Sequence, residues 1–256
     1  MGGGASSWSC GWRIGMGLAE REAACLLEQI EECVDPAREG VADRTAPTGL
    51  KVYGVRVPKL RKIAKAWYRA HKDVARDDLF ALVEALWESG SREERGIAFH
   101  LLEHFEQWVP DLPRAHLDRW RRDLDSWVET DGLGWMLAVW LAGDPDARLD
   151  YLWELIDDED VWSRRLALVP LARINRGELG FTAPGLAFQL IDRVKEERHP
   201  MIAKAVSWVL RETTKTHRNA VAVYVEENRN VLAGHIVREV ENKLCTGLKS
   251  GRSGGG

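Results

Sequence analysis

The chain has 256 residues, of which 45% are hydrophobic and 30% charged, an ordinary composition for a globular protein. No run of 18 or more apolar residues is present, which excludes a membrane-spanning helix, and residues 1–17 lack the apolar stretch of a secretory signal. We expect glycine-rich, flexible tails over 1–17 and 246–256 around a single domain over 18–245. The four cysteines include no C-x-x-C pair, so we expect a reducing, cytoplasmic location.

The formal net charge of −4 conceals a strong separation of charge along the chain. From Lys51 to Lys72 there are eight cations and no acid, whereas from Asp144 to Asp160 eight acids face a single arginine. Such an asymmetric molecule carries a basic patch, and phosphate binding depends on the patch more than on the total charge.

Apolar residues recur at helical spacing along the chain, as in Ile97, Leu101, Leu102 and Phe105, and no convincing strand alternation is present. Proline and glycine interrupt this pattern at short intervals and set the helix boundaries. In chain order the pattern predicts helices near 19–35, 57–72, 77–89, 91–106, 114–124, 126–142, 146–156, 160–175, 183–196, 199–215, 218–228 and 231–243.

Short helices joined by short loops pack as antiparallel neighbours. Pairs of them recur every 35–45 residues or so, which is the spacing of HEAT-like repeats. The sequence therefore predicts an all-α fold, a curved solenoid of antiparallel HEAT-like helix pairs, with a compact helical bundle as the alternative.

Two segments in the first half of the chain carry unusual side chains. In Tyr53 to Arg61, Pro58 lies at a predicted helix start among Arg56, Lys59 and Arg61, a suitable phosphate anchor. In Ser126 to Asp131, Trp127 lies one helical turn from Asp131, and an aromatic ring beside a carboxylate suits a cationic guest. The alternative for the second segment is a capped helix start with a solvated acid.

Two further segments in the second half combine arginine or lysine with tryptophan. Asp160 to Arg165 is a helix start whose arginines can bind phosphate, or alternatively balance the preceding acids. From Met201 to Lys215 the cations and a single tryptophan share one helix face, which is either a ligand-binding face or a groove-filling contact between repeats. The residues of that face are Lys204, Trp208, Arg211 and Lys215.

The four segments together, in this order, resemble the AlkD-type DNA alkylation-repair glycosylases. The resemblance runs from about Tyr53 to Val240. It rests on Tyr53 to Leu60, Trp127-x-x-x-Asp131, Trp162-x-Arg164-Arg165 and Lys204-Ala205-x-x-Trp208-x-Leu210-Arg211. Proteins of this family hold duplex DNA against a HEAT-like solenoid and excise positively charged N3- and N7-alkylated purines without fully flipping the damaged base.

The resemblance implies roles for these residues. Asp131 would be the catalytic carboxylate that stabilises the cationic sugar and positions water, with Trp127 and Trp208 flanking the deoxyribose. Arg165 would hold a nearby phosphate, and further DNA contacts would come from Arg164, Lys204, Arg211, Lys215, Arg56, Lys59 and Arg61. We expect a monomer that binds double-stranded DNA with alkylated bases, with no cofactor, no metal and no membrane partner. As an exposed groove residue, Asp131 should also be replaceable at little cost in stability.

The sequence departs from the family pattern in two places. Val128 follows the first tryptophan, where relatives often have an acid. Arg44 to Gly49 contains Pro47, which would break a helix that relatives tend to extend toward the DNA. These departures put the lesion range in doubt more than the reaction.

Two other functions remain open from the sequence. His100-x-x-Glu103-His104 matches the inverted zinc-protease motif, although no third ligand is evident. The second alternative is a non-catalytic HEAT-like module that binds damaged or branched DNA, or a protein, through the same face. The presence of both Trp127 and Asp131 favours the enzyme.

Overall fold

The computed structural model describes residues 17–38 and 46–250, and the regular structure in these ranges is helical, apart from one isolated bridge between Lys51 and Ser91. Short 3₁₀ turns lie at Pro36–Arg38, Glu106–Asp111 and Arg121–Asp123. The α-helices are α1 (Leu18–Glu31), α2 (Val57–Ala70), α3 (Arg76–Glu88), α4 (Arg92–His104), α5 (Arg114–Trp120), α6 (Trp127–Ala142), α7 (Pro145–Arg148), α8 (Tyr151–Ile156), α9 (Val161–Ile174), α10 (Pro184–Val194), α11 (Pro200–Glu227) and α12 (Gly234–Thr246).

The all-α prediction is confirmed, and most helix boundaries lie within a few residues of the predicted ones. The predicted helix at 146–156 is instead two short helices, α7 and α8. No helix in the described ranges has the length and apolar character that crossing a bilayer requires.

The two helices predicted at 199–215 and 218–228 form the single helix α11, with a kink at His217. His217 has φ −129° and ψ 49°, outside the helical range. Its Nε2 lies 2.8 Å from Thr182 Oγ1, and Thr216 donates to the carbonyl of Asn175, so two side chains fix the bend. The break was predicted correctly, although no loop separates the two parts.

The described residues up to His104 form one compact unit. In it, α3 packs against α1 and α4, and α2 packs against α4. The buried carboxylate of Glu93 accepts the backbone N–H groups of Tyr53 (3.0 Å) and Val55 (3.1 Å), and Gly54 between them has φ 75°, a conformation that favours glycine. These contacts fix the turn that leads into α2, which begins with Pro58 in its first turn as predicted.

The described residues from Phe105 onward form a second compact unit. In it, α9 packs against α6 and α11, and α11 packs against α12. The remaining helices cover this row, because α8 packs against α9 and α10, and α10 also contacts α11. The row stacks helices from successive segments of the chain, which is the arrangement that HEAT-like repeats give.

Candidate active site

A cavity of about 300 Å³ opens in the second unit, at the amino-terminal ends of α6, α9, α11 and α12. The structure brings six of the residues predicted for the site together around it. They are Trp127, Asp131, Arg165, Lys204, Trp208 and Arg211.

The convergence of these side chains follows from the helix repeat. Asp131, Arg165 and Lys204 are each the fifth residue of their helices, α6, α9 and α11. Because these helices pack side by side in one row, side chains at the same position from the start of each helix lie close together at the cavity. Helix amino termini also carry partial positive charge, which favours anions at this side of the unit.

The Asp131 carboxylate is bound by the guanidinium of Arg165 through two parallel hydrogen bonds. Arg165 Nε donates to Oδ1 at 2.9 Å, and Nη2 donates to Oδ2 at 3.0 Å. The Arg165 side chain is only 5% exposed, whereas that of Asp131 is 23% exposed and lines the cavity. Burial raises the pKa of the Asp131 carboxyl, and the charge and hydrogen bonds of Arg165 lower it in part.

This pairing bears on two expectations. The buried guanidinium of Arg165 holds Asp131 and also donates to the Met201 carbonyl, so Arg165 orients the carboxylate, and its binding of a phosphate stays a prediction. Asp131 is not the exposed groove residue that the sequence suggested. We therefore expect its replacement to be costly, because it removes one partner of a buried charge pair.

The two tryptophans provide the apolar walls of the cavity. Trp127 is 37% exposed at the start of α6, where Ser126 Oγ accepts the backbone N–H of Val128 at 3.4 Å. Trp208 is half-buried on α11, one turn from Lys204. Both rings line the same cavity as Asp131.

Arg164 and Lys215, both expected to bind DNA, do not line the cavity. Arg164 pairs with Glu197 through bonds of 3.0 and 2.9 Å and also donates to the carbonyls of Asp158 and Glu159. It therefore joins the start of α9 to the turn before α11, and its contact with DNA stays a prediction. Lys215 pairs with Glu212 at 2.6 Å.

The remaining cations predicted to bind DNA belong to the first unit. Arg56 precedes α2, and Lys59 and Arg61 lie in its first turns, all of them exposed. Lys59 Nζ donates to the Cys33 carbonyl at 3.2 Å. Among the described residues none of the three forms an ion pair with an acid, so their charge is available to an anionic ligand.

Four further lining residues were not found from the sequence: Met201, His235, Glu239 and Lys249. His235 and Glu239 lie one turn apart near the start of α12, so the helix register could have indicated them. Lys249 lies within the range expected to be a tail, and no local pattern distinguishes it.

The zinc-protease alternative finds no support in the geometry of α4. His100 Nδ1 lies 2.8 Å from Glu103, and the His104 ring stacks on Tyr68 with centroids 4.8 Å apart. In residues 17–38 and 46–250, no group of three or more histidine, cysteine or acidic side chains could hold a metal ion.

The fold and the cavity define a helical-repeat protein with a carboxylate placed between two tryptophans and several cations. The sequence model of the family described as "DNA alkylation repair enzyme" matches residues 26–244. The chain therefore belongs to this family.

The chain is also similar to a solved structure described as a predicted DNA alkylation repair enzyme from Enterococcus faecalis. That likeness has a TM-score of 0.64 at 20% sequence identity and covers 83% of this chain and 97% of the other. It shows a shared helical-repeat fold. No curated protein matches the chain.

The close approach of α6 and α9 depends on Gly134. A Cβ atom at this position would lie 2.5 Å from Val169 Cγ1 and 2.8 Å from Val169 Cβ, distances that force the helices apart. Gly134 follows Asp131 by three residues, and Val169 follows Arg165 by four. The glycine therefore permits the helix spacing at which the ion pair forms.

We predict that Gly134→Ala destabilises the protein by about 1–3 kcal/mol, because the added methyl group overpacks the α6–α9 contact. The double variant with Val169→Ala should recover much of this loss, since the second change removes the clashing atoms. Thermal or denaturant unfolding of both variants measures the effect. A single variant more stable than the parent by about 1 kcal/mol, as helix propensity alone predicts, would contradict the packing argument.

Proposed function

We propose that the protein is a DNA glycosylase that excises positively charged, N3- or N7-alkylated purines from duplex DNA. The observation that carries this proposal is the Asp131 carboxylate, held by Arg165 in a cavity between Trp127 and Trp208. Family membership supports a role in alkylation repair, and the cavity supplies the groups that this reaction needs.

The bond that breaks joins C1′ of the deoxyribose to the alkylated purine. Its electron pair moves to the base nitrogen and neutralises the positive charge of the purine, so the leaving group needs no proton. A sugar with oxocarbenium character remains, and water adds its oxygen to C1′ and loses a proton. One negative charge close to C1′ is the main requirement.

Asp131 fits that requirement because Arg165 holds its carboxylate oriented, and because the charge of Arg165 offsets part of the rise in pKa that burial causes. A carboxylate has about four acceptor sites, and Arg165 uses two of them, which leaves the others for water and the sugar. The faces of Trp127 and Trp208 attract a cationic guest and exclude bulk water. One such preorganised electrostatic group contributes about 3–4 kcal/mol to catalysis.

DNA binding requires cations that are not committed to acids. Lys204 lines the cavity and forms no ion pair within the described residues. The exposed cations of α2 provide a second positive surface. Each surface is locally positive although the net charge of the chain is −4, and a positive surface is what phosphate binding requires.

The direct test is release of free base from duplex DNA. We predict that 7-methylguanine is released and that uracil is not, because the cavity recognises a cation and provides no proton for a neutral leaving group. Chromatography of the supernatant after incubation measures both. Uracil release would contradict the mechanism, whereas DNA binding without any base release would favour the non-catalytic module.

Replacing the carboxylate isolates its contribution. We predict that Asp131→Asn slows single-turnover excision by roughly 100-fold or more, because it removes the charge that stabilises the sugar cation. It should also destabilise the fold by about 1–3 kcal/mol, since Arg165 stays buried with a neutral partner. A thermal melt shows the temperature range in which the variant is folded and can be assayed.

The matched control is Glu197→Gln. It removes a carboxylate held in the same way by the adjacent arginine, Arg164, outside the cavity. This variant should lose similar stability and keep normal excision. If both variants lose the same amount of excision activity, the loss in Asp131→Asn results from the damaged fold and not from the missing catalytic charge.

DNA affinity should fall steeply as salt is added, with a slope near −0.9 for each phosphate neutralised. Neutralising Arg56, Lys59 and Arg61 together should flatten this slope by roughly two to three. The ion-paired Arg229, substituted by glutamine, serves as the control and should leave the slope unchanged. Anisotropy titrations at several salt concentrations measure the slope. An unaltered slope in the triple variant would show that α2 does not contact the DNA.

A further inference from the structure

The side of the cavity formed by α11 and α12 contains a chain of hydrogen bonds that the excision mechanism does not use. Arg211 Nε donates to Ser207 Oγ at 3.3 Å, and Ser207 Oγ donates to Glu239 Oε2 at 2.5 Å. The buried Ser207 hydroxyl thus joins the arginine of α11 to the carboxylate of α12. Arg211 Nε also lies 3.8 Å from Glu239 Oε2.

These contacts fix one edge of the Arg211 guanidinium. Its Nε is anchored, while its two terminal nitrogens form no hydrogen bond to any described residue. The side chain is only 16% exposed, yet it lines the cavity. A half-buried arginine with its Nε held and its terminal nitrogens unoccupied is arranged to bind a phosphate oxygen pair.

Lys249 reaches the same carboxylate from the opposite direction. Gly247, with φ 76°, ends α12 in the left-handed conformation and turns the chain back along the helix. Asn242 then donates to the Lys249 carbonyl at 3.1 Å, and Lys249 Nζ lies 3.2 Å from Glu239 Oε1. The backbone of Lys249 is thus tied to the helix while its ammonium group lies at the cavity.

We propose that Arg211 and Lys249 form a phosphodiester subsite beside the lesion, and that Glu239 is the positioning residue that holds both cations in place. The proposal rests on the proposed function only in taking DNA as the ligand. Glu239 touches neither the base nor the sugar in this arrangement. Its single charge is outnumbered by the two cations, so the cluster stays net positive.

The direction in which one substitution changes the DNA affinity distinguishes a positioning role of Glu239 from a purely electrostatic one. Glu239→Gln removes a negative charge from a DNA-binding surface, which by charge alone should tighten binding. If Glu239 positions Arg211 and Lys249, the same substitution should weaken binding instead. Glu212→Gln is the matched control, because Glu212, like Glu239, lies near one arginine and one lysine (Arg176 and Lys215) but does not line the cavity.

The experiment measures the affinity of each variant for a DNA duplex with one tetrahydrofuran abasic site, over a range of salt concentrations. Glu239→Gln should bind about tenfold more weakly, the scale of one charge-assisted hydrogen bond, while Glu212→Gln binds as tightly as the parent or more tightly. Lys249→Met should reduce the salt slope by about 0.9, the loss of one phosphate contact.

A second variant tests the same contact in case Glu239→Gln does not fold. Ser207→Ala removes the oxygen that joins Arg211 to Glu239 and leaves every charge in place, so it should weaken binding while the salt slope stays close to that of the parent. The proposal is overturned if Glu239→Gln and Ser207→Ala bind like the parent, or if Lys249→Met keeps the full slope.

The assay releases no base, so its outcome is independent of excision. A parent protein that binds this duplex but releases no 7-methylguanine would contradict the proposed glycosylase activity. The variants alone would then decide whether the subsite exists. A parent protein that does not bind the duplex would overturn the subsite directly.

Discussion

The buried guanidinium of Arg165 imposes the main constraint on the second unit. A charge removed from water costs several kcal/mol unless it is paired and hydrogen-bonded. Asp131 provides two of its bonds and the Met201 carbonyl a third, from α6 and α11 respectively. The position of α9 relative to both neighbours is therefore fixed by the same contacts that hold the carboxylate, so the stability of this helix row and the geometry of the cavity are coupled.

The consecutive residues Arg164 and Arg165 have the same side chain but different roles, because their surroundings differ. Arg164 and Arg165 each bind a carboxylate through two bonds of about 3 Å. Because successive residues on a helix point in directions about 100° apart, one pair faces the cavity and the other joins α9 to the turn before α11. The two carboxylates are similarly exposed, and only Asp131 of the Arg165 pair lines the cavity, where a ligand can reach it.

The periodicity of apolar residues was sufficient to predict the helices, because helix formation depends on local spacing and breakers such as Pro145 and Pro200. The family resemblance indicated Asp131, Trp127 and Trp208. Neither could indicate Lys249, which reaches the cavity through a chain reversal at Gly247. The pairing of Arg165 with Asp131 was missed for the same reason, since a sequence shows that an arginine is present but not which carboxylate lies beside it.

The proposed excision reaction places two opposing electrostatic demands on the cavity. An alkylated purine and a developing sugar cation require negative charge, whereas the flanking phosphates require positive charge. The described residues separate these demands in space: α6 and α9 supply the carboxylate and its arginine, and α11 and α12 supply Lys204, Arg211 and Lys249. Glu239 lies among the second group, with its Oε2 3.8 Å from Arg211 Nε and its Oε1 3.2 Å from Lys249 Nζ. Each carboxylate of the cavity thus has its own cations, which is the division that the proposed binding of a polyanion and stabilisation of a cation in one small site require.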